Sequence, residues 1–130
     1  MTKHMIYAAL AAVLVSLPAN AKSGDTQWAP EAGDVIKFDV LRQGKPFGTH
    51  QVSFDTDPAG QLIVTTKVNL KAGIGPVTLF RYRLDAREVW NEGQLVMLDG
   101  KVNDDGVKGS VHAALDENVL QVTGSEFEGS

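Results

Sequence analysis

A two-residue alternation of apolar and polar side chains constrains the fold of this chain more than any other feature. It is clearest in LIVTTKVNLK, residues 62–71, where Val64 and Val68 fall on one side and Lys67 on the other. This period is that of a β-strand with one buried face, whereas a helix repeats every 3.6 residues. The chain is therefore predicted to form half-buried strands rather than amphipathic helices.

Turn signals divide the alternating region into about seven strands spaced near ten residues apart, a pattern typical of all-β sandwiches and barrels. Short turns make consecutive strands antiparallel neighbours. The sequence thus predicts an all-β fold, an antiparallel meander that forms a curved sheet or an incomplete β-barrel. The predicted turns are Gln43–Pro46, Asp57–Gly60, Gly73–Pro76, Asn91–Gly93, Asn103–Gly106 and Asp116–Asn118.

The end of the sequence adds a second expectation about the sheet. The chain stops soon after its last predicted strand, at Glu126–Ser130. A meander of this size needs closure, a second layer or a partner to cover its edges and its apolar face. We therefore expect an exposed apolar face or edge near the C-terminus.

The first 21 residues have the features of a secretory signal peptide. Lys3 and His4 precede an uncharged apolar run, Ile6–Leu17, which Pro18 ends, and Ala19–Ala21 supplies the small residues of a cleavage site. The run is shorter than the roughly 20 apolar residues of a membrane-spanning helix. An uncleaved N-terminal anchor is the alternative. Cleavage after Ala21 predicts a periplasmic or secreted protein without a stable membrane span.

The rest of the chain is then a polar, flexible leader over residues 22–32 and one β domain over residues 33–130. Trp28 is the exception in the leader, and it is expected to pack against the edge of the domain. The chain has no Cys, which excludes disulfides, thiol catalysis, Cys-based metal sites and a lipoprotein anchor. Without Lys3, 16 acidic residues face 11 of the 12 Lys and Arg, a balance unsuited to nucleic acid.

A glycine-rich segment precedes the longest predicted strand, in AGIGPVTLFRYRLDAREVW, residues 72–90. A phosphate-binding loop or a dinucleotide fingerprint requires a helix after its glycines. Here Pro76 and a strand-like run follow instead. We interpret Gly73 and Gly75 as hairpin residues with positive φ.

That strand places aromatic and basic residues on opposite faces, with Phe80 and Tyr82 on one side. Arg81, Arg83 and Arg87 lie on the other side. Two interpretations stay open: the arginines pair with acids of neighbouring strands on a solvated face, or they line a groove that holds a carboxylate or phosphate group. By parity Glu88 lies among the apolar side chains, where a carboxylate should be paired, hydrated or functional.

Other motifs give no support for catalysis or for a cofactor. Asn103–Gly106 is explained by a type I′ hairpin turn, because an EF-hand needs a longer ligand loop. His50 and His112 lack the spacing of a metal pair. Gly109–Ser110 is not a nucleophile elbow. We therefore predict no metal and no cofactor.

Several spaced segments together resemble a known family: GDVIKFDVLRQGKPFG from Gly33, GIGPVTLFRYRLDAREVW from Gly73, and LDGKVNDDG from Leu98. They are similar to the exported bacterial domain-of-unknown-function family numbered six-one-three-four, over about Gly33 to Ser130. The resemblance implies a periplasmic antiparallel β protein with a curved, partly closed sheet, and no assigned reaction or functional residues. It also implies several more strands than this chain has, so that a C-terminal truncation is expected.

The leading functional hypothesis is a non-enzymatic, envelope-associated binding domain. Its concave face would hold an apolar or amphipathic molecule, such as a lipid, a glycan or another envelope component. One alternative is an enzyme that acts on an envelope polymer through Glu88 and a nearby Asp. Another is an assembly domain that self-associates through an open sheet edge. The proposed ligand-binding residues are Phe54, Phe80, Tyr82 and Trp90 as a wall, Arg81, Arg83 and Arg87 at a rim, and Glu88.

Overall fold

The computed structural model describes residues 28–128, with side chains to residue 125, so the predicted signal peptide and residues 22–27 lie outside it. The described chain forms one antiparallel sheet of seven strands that are neighbours in sequence order. The strands are β1 (Val35–Arg42), β2 (Lys45–Thr56), β3 (Leu62–Ile74), β4 (Val77–Asn91), β5 (Gln94–Asp104), β6 (Val107–Asp116) and β7 (Val119–Glu128).

The predicted all-β meander is confirmed, and the sheet is open rather than closed into a barrel. Strands β1 and β7 form its two edges, because each is paired on one side alone within the described residues. Strand β7 extends from Val119 to Glu128. No helix in the described part of the chain is long and apolar enough to cross a membrane.

Four of the six hairpins turn through two residues that both have positive φ, the type I′ geometry whose twist matches that of paired strands. The predicted turn at Asn103–Gly106 is one of them, with φ of 51° at Asp105 and 96° at Gly106. Its Asn103 side chain accepts a hydrogen bond from the Gly106 N–H at 2.8 Å. The other three central pairs are Gln43–Gly44, Glu92–Gly93 and Glu117–Asn118.

The hairpin between β3 and β4 corrects one prediction. Gly75 has a positive φ of 57°, as expected, but Gly73 does not. Gly73 instead lies at a register shift in the β3–β4 pairing. A Cβ atom there would collide with the carbonyl oxygen of Val77. Gly73 is thus needed for close backbone approach, and Gly75 for its dihedral angles.

Strand pairing aligns one row of residues across the whole sheet, from Ile36 to Gly124. We call this set the central row and its side of the sheet the apolar face; the opposite side is the polar face. Leu84, Val102 and Ala113 are buried on the apolar face, and Val89 is buried on the other. The central row consists of Ile36, Val52, Thr66, Ala86, Gly100, Val111 and Gly124.

Much of the apolar face remains accessible, because no second layer lies over it in the described residues. Four hydrophobic side chains of residues 28–125 are buried. On the last strand, Leu120 and Val122 of this face are 37 % and 60 % exposed. The expected exposure of apolar side chains near the C-terminus is therefore confirmed.

Candidate functional site

The proposed ligand-binding residues are divided between the two faces of the sheet. Phe80, Tyr82 and Glu88 alternate with Arg81 and Arg87 along β4, so they point in opposite directions. The structure therefore places the predicted aromatic side chains on one face, at its two ends, and the arginines on the other face. The predicted aromatic residues on the apolar face are Phe54, Phe80, Tyr82 and Trp90.

A second phenylalanine and a different arginine complete the aromatic group at one end of the apolar face. The ring of Phe47 stacks on that of Phe80, with centroids 6.2 Å apart and an interplanar angle of 18°. The Arg42 guanidinium lies 5.9 Å from the centroid of Phe47. The sequence did not predict Phe47 for this site, because a register shift after Val40 breaks the alternation there.

The other end of the apolar face contains both tryptophans of the chain. Trp28 packs edge-on against Phe54, with ring centroids 5.8 Å apart, as expected for a leader residue at the edge of the domain. Trp90 donates its indole N–H to the Glu88 carboxylate at 2.8 Å. In the strand register Glu88 lies between Val64 and Leu98. Glu88, the carboxylate predicted to lie among apolar side chains, is therefore paired by a hydrogen bond.

Two further polar side chains lie on the apolar face. The Nε2 atom of His50 is shielded from solvent and has no hydrogen-bond partner among the described residues. Its ring lies 5.7 Å from that of Phe38. Burial, and then the negative charge of Asp104, raise the pKa of the Tyr82 phenol. This face thus combines apolar side chains with polar atoms that water reaches poorly.

On the polar face, the arginines form no ion pair with a carboxylate of residues 28–125. Arg83 donates from Nε to the side-chain oxygen of Asn69 at 3.1 Å. Arg87 faces Asp99 in the strand register, but Asp99 contacts the Nδ1 atom of His112 at 2.5 Å. Between residues 28 and 125, that contact is the one within 4.0 Å that joins a carboxylate to a basic side chain.

Two adjoining depressions lie on the polar face, across β3 to β7. The larger, which we call the polar trough, has a volume of about 620 Å³ and includes Arg87, Lys101 and the Asp99–His112 pair. The smaller, of about 420 Å³, includes Arg83 and Lys108. Hydroxyl groups line the trough as well, among them Ser110 and Ser125, whose Oγ atoms are 2.9 Å apart.

The residues of neither face form a metal site. No group of three or more His, Asp or Glu side chains in the described residues is placed to hold a metal ion. His50 and His112 lie on opposite faces, because His50 is in the Leu84 row and His112 faces Asp99. The arrangement offers surfaces for binding, and the polar trough brings acidic and basic side chains together.

Comparison with known proteins identifies the family. No curated protein and no solved structure matches the chain. Residues 38–130, most of the chain, match the domain of unknown function DUF6134. The resemblance noted in the spaced glycine, arginine and aromatic segments is thereby confirmed, and the chain belongs to the DUF6134 family.

Proposed function

We propose that this chain is an exported, non-enzymatic binding domain that holds an amphipathic molecule of the cell envelope against its apolar face. The observation that carries the proposal is the accessibility of that face in a one-layer sheet. Apolar patches of this kind on a soluble domain mark interaction surfaces. The alternation that forms the sheet also forms the patch, so no separate element is needed to present it.

The aromatic side chains at the two ends of the face support an elongated ligand. Phe47 and Phe80 stack at one end, and Trp28 and Trp90 lie at the other. Between them runs the small and branched central row. An extended acyl chain laid along the strands would contact both aromatic ends and cross the central row.

A charged side chain at one end of the apolar face favours an amphipathic ligand over a purely apolar one. Arg42 beside Phe47 supplies a cation at one end of the face. An anionic head group at Arg42, with its chain directed toward Trp90, would pair the charge and cover the apolar side chains.

Tryptophan quenching by brominated acyl chains tests both the site and the orientation. The chain has two tryptophans, and both lie at the end of the apolar face far from Arg42. A fatty acid brominated near its methyl end should therefore quench their fluorescence more than one brominated near its carboxylate. Arg42→Gln should weaken binding about tenfold, as expected for one charge-assisted hydrogen bond.

Phe80→Ala should weaken binding of either fatty acid, whereas Lys67→Gln on the polar face should not. Absence of quenching with a folded protein, or equal losses in the two variants, would contradict the proposal. If light scattering shows a dimer that binds no acyl chain, the apolar face is an assembly surface instead.

A second candidate function comes from the polar trough. Glu88 is engaged by Trp90, but Asp85 and Asp99 both line the trough. They are diagonal neighbours in the strand register, because Asp85 faces Lys101 and Asp99 faces Arg87. Such residues have Cα atoms about 7–8 Å apart, close to the carboxylate spacing of glycoside hydrolases.

Release of reducing ends from a purified envelope glycan would test this enzymatic alternative. Asp85→Asn should abolish the release if the two carboxylates act as an acid–base pair, and Asp55→Asn, outside the trough, should leave it unchanged. Activity that survives Asp85→Asn would exclude the pair.

A further inference from the structure

Charge is separated along the strand direction of the sheet. The upper end carries the hairpins at residues 42–45, 74–77 and 104–107, and the lower end carries those at residues 56–62, 91–94 and 116–119. Nine of the ten Lys and Arg among residues 28–125 lie on the upper side of the central row, and Arg87 is the exception. The nine are Lys37, Arg42, Lys45, Lys67, Lys71, Arg81, Arg83, Lys101 and Lys108.

Acidic residues have the opposite distribution. Of the 15 among residues 28–128, six lie on the upper side, among them Glu126 and Glu128 of β7, and nine on the lower. With nine basic residues, the upper side has a net charge of +3; with Arg87 alone, the lower side has −8. The overall acidity of the chain thus conceals a basic end. The nine acids of the lower side are Glu31, Asp34, Asp55, Asp57, Glu88, Glu92, Asp99, Asp116 and Glu117.

The basic end also exposes its apolar side chains to solvent. Leu41, Ile74, Val77 and Leu79 lie in or next to the hairpins there and are between 58 % and 74 % exposed. These are projecting turns and strand ends rather than the walls of a groove. Apolar tips of this kind suit insertion into a soft surface better than capture of a small ligand.

The cations beside these tips have no neutralising carboxylate within 4.0 Å among residues 28–125. Lys71 and Arg81 face each other in the β3–β4 register, and like charges directly opposite one another are unfavourable. The Asp105 carboxylate accepts from the backbone N–H of Arg81 at 3.3 Å. None of Arg42, Lys45, Lys71 and Arg81 has a carboxylate within 4.0 Å among residues 28–125. The excess charge is therefore available to an outside anion.

We propose that the upper end of the sheet is a docking surface for an anionic lipid bilayer. The exposed side chains of Leu41, Ile74, Val77 and Leu79 would enter the boundary between head groups and acyl chains. The surrounding Lys and Arg would bind the lipid phosphates, each worth about 1 kcal/mol near a charged surface. This inference stands apart from ligand binding on the apolar face, since Arg42 is the one side chain that the two proposals share.

The lower end provides a matched comparison within the same molecule. Val119 and Val122 are as exposed as the upper apolar residues, but Asp116 and Glu117 lie beside them. An anionic bilayer repels those carboxylates. If apolar exposure alone determined membrane binding, both ends would bind; if charge is also required, the upper end alone binds.

Vesicle flotation of the exported chain tests the proposal. We expect binding to vesicles of phosphatidylcholine with 30 mol% (about one third) phosphatidylglycerol, no binding to phosphatidylcholine alone, and release as salt is raised. The double variant Lys71→Gln/Arg81→Gln should lose about 25-fold in affinity, about fivefold for each charge. Ile74→Ser should weaken binding as well.

The control is Val119→Ser/Val122→Ser at the acidic end, which should bind the vesicles like the unaltered chain. Equal binding to neutral and anionic vesicles would overturn the proposal, and so would an equal loss in the control variant. Acyl-chain quenching does not depend on Lys71, Arg81 or Ile74. Loss of vesicle binding with quenching retained would therefore overturn the membrane proposal and leave the proposed function standing. Loss of quenching with vesicle binding retained would overturn the proposed function and leave the membrane proposal standing.

Discussion

The apolar and polar faces of this sheet each contain a hydrogen-bonded carboxylate, and the two pairs differ in their surroundings. On the apolar face Glu88 accepts from Trp90 between Val64 and Leu98. On the polar face Asp99 contacts His112, and both side chains are about half exposed. Water can replace the second contact but reaches the first poorly. We therefore expect the Glu88–Trp90 pair to contribute more to the free energy of unfolding than the Asp99–His112 pair.

The largest difference between the faces is expected in their packing. Leu84 is 6 % exposed between Val68 and Val102, and Leu84→Ala should lower the free energy of unfolding by about 2–5 kcal/mol. Arg83→Ala, one residue away on the polar face, should cost less than about 1 kcal/mol. Urea unfolding of both variants provides the measurement. Similar losses would show that the two faces are packed alike.

The hydrogen bond between Trp90 and Glu88 on the apolar face should give the next largest loss of stability when it is removed. Trp90→Phe keeps the ring but removes the donor, leaving the Glu88 carboxylate unpaired at a cost of about 1–3 kcal/mol. Adding Glu88→Leu to this variant should restore part of the lost stability. A double-mutant cycle measured by thermal unfolding gives the coupling, and additive effects would rule out the pair as a stabilising interaction.

A pH titration sharpens the comparison at Tyr82. Burial and the charge of Asp104 raise the folded-state pKa of this phenol above its ordinary value of 10.0. The folded state therefore favours the neutral phenol, and its contribution is complete below about pH 10 and lost as pH rises through the folded pKa. Tyr82→Phe should remove this alkaline loss. Asp104→Asn should lower the folded-state pKa, measured from phenolate absorbance.

The smallest change in stability is expected when the contact between His112 and Asp99 on the polar face is removed. His112→Ala should change the free energy of unfolding by less than about 1 kcal/mol, because exposed ion pairs contribute little. Thermal unfolding at low and high salt would check it. A loss as large as that of Trp90→Phe would mean that the polar trough excludes water more than the exposure of its side chains indicates.

Local sequence rules predicted most of the fold but less of the candidate site. The alternation identified the strands, and the Asp105–Gly106 turn followed from the dihedral angles that its residues accept. The rules failed at Gly73 and Phe47, where register shifts replace simple alternation. A register shift depends on how two strands meet, so neither strand alone reveals it.

The sequence by itself determined the two faces of the sheet, since a β-strand sends alternate side chains to opposite sides whatever its neighbours are. It also determined the hairpin order, because short turns leave consecutive strands no other partners. Only the tertiary structure decided which distant residues meet: Phe47 over Phe80 across a strand, and His112 against Asp99. It also decided the separation of charge, because pairing in register aligns residues that are far apart in the sequence at one end of the sheet.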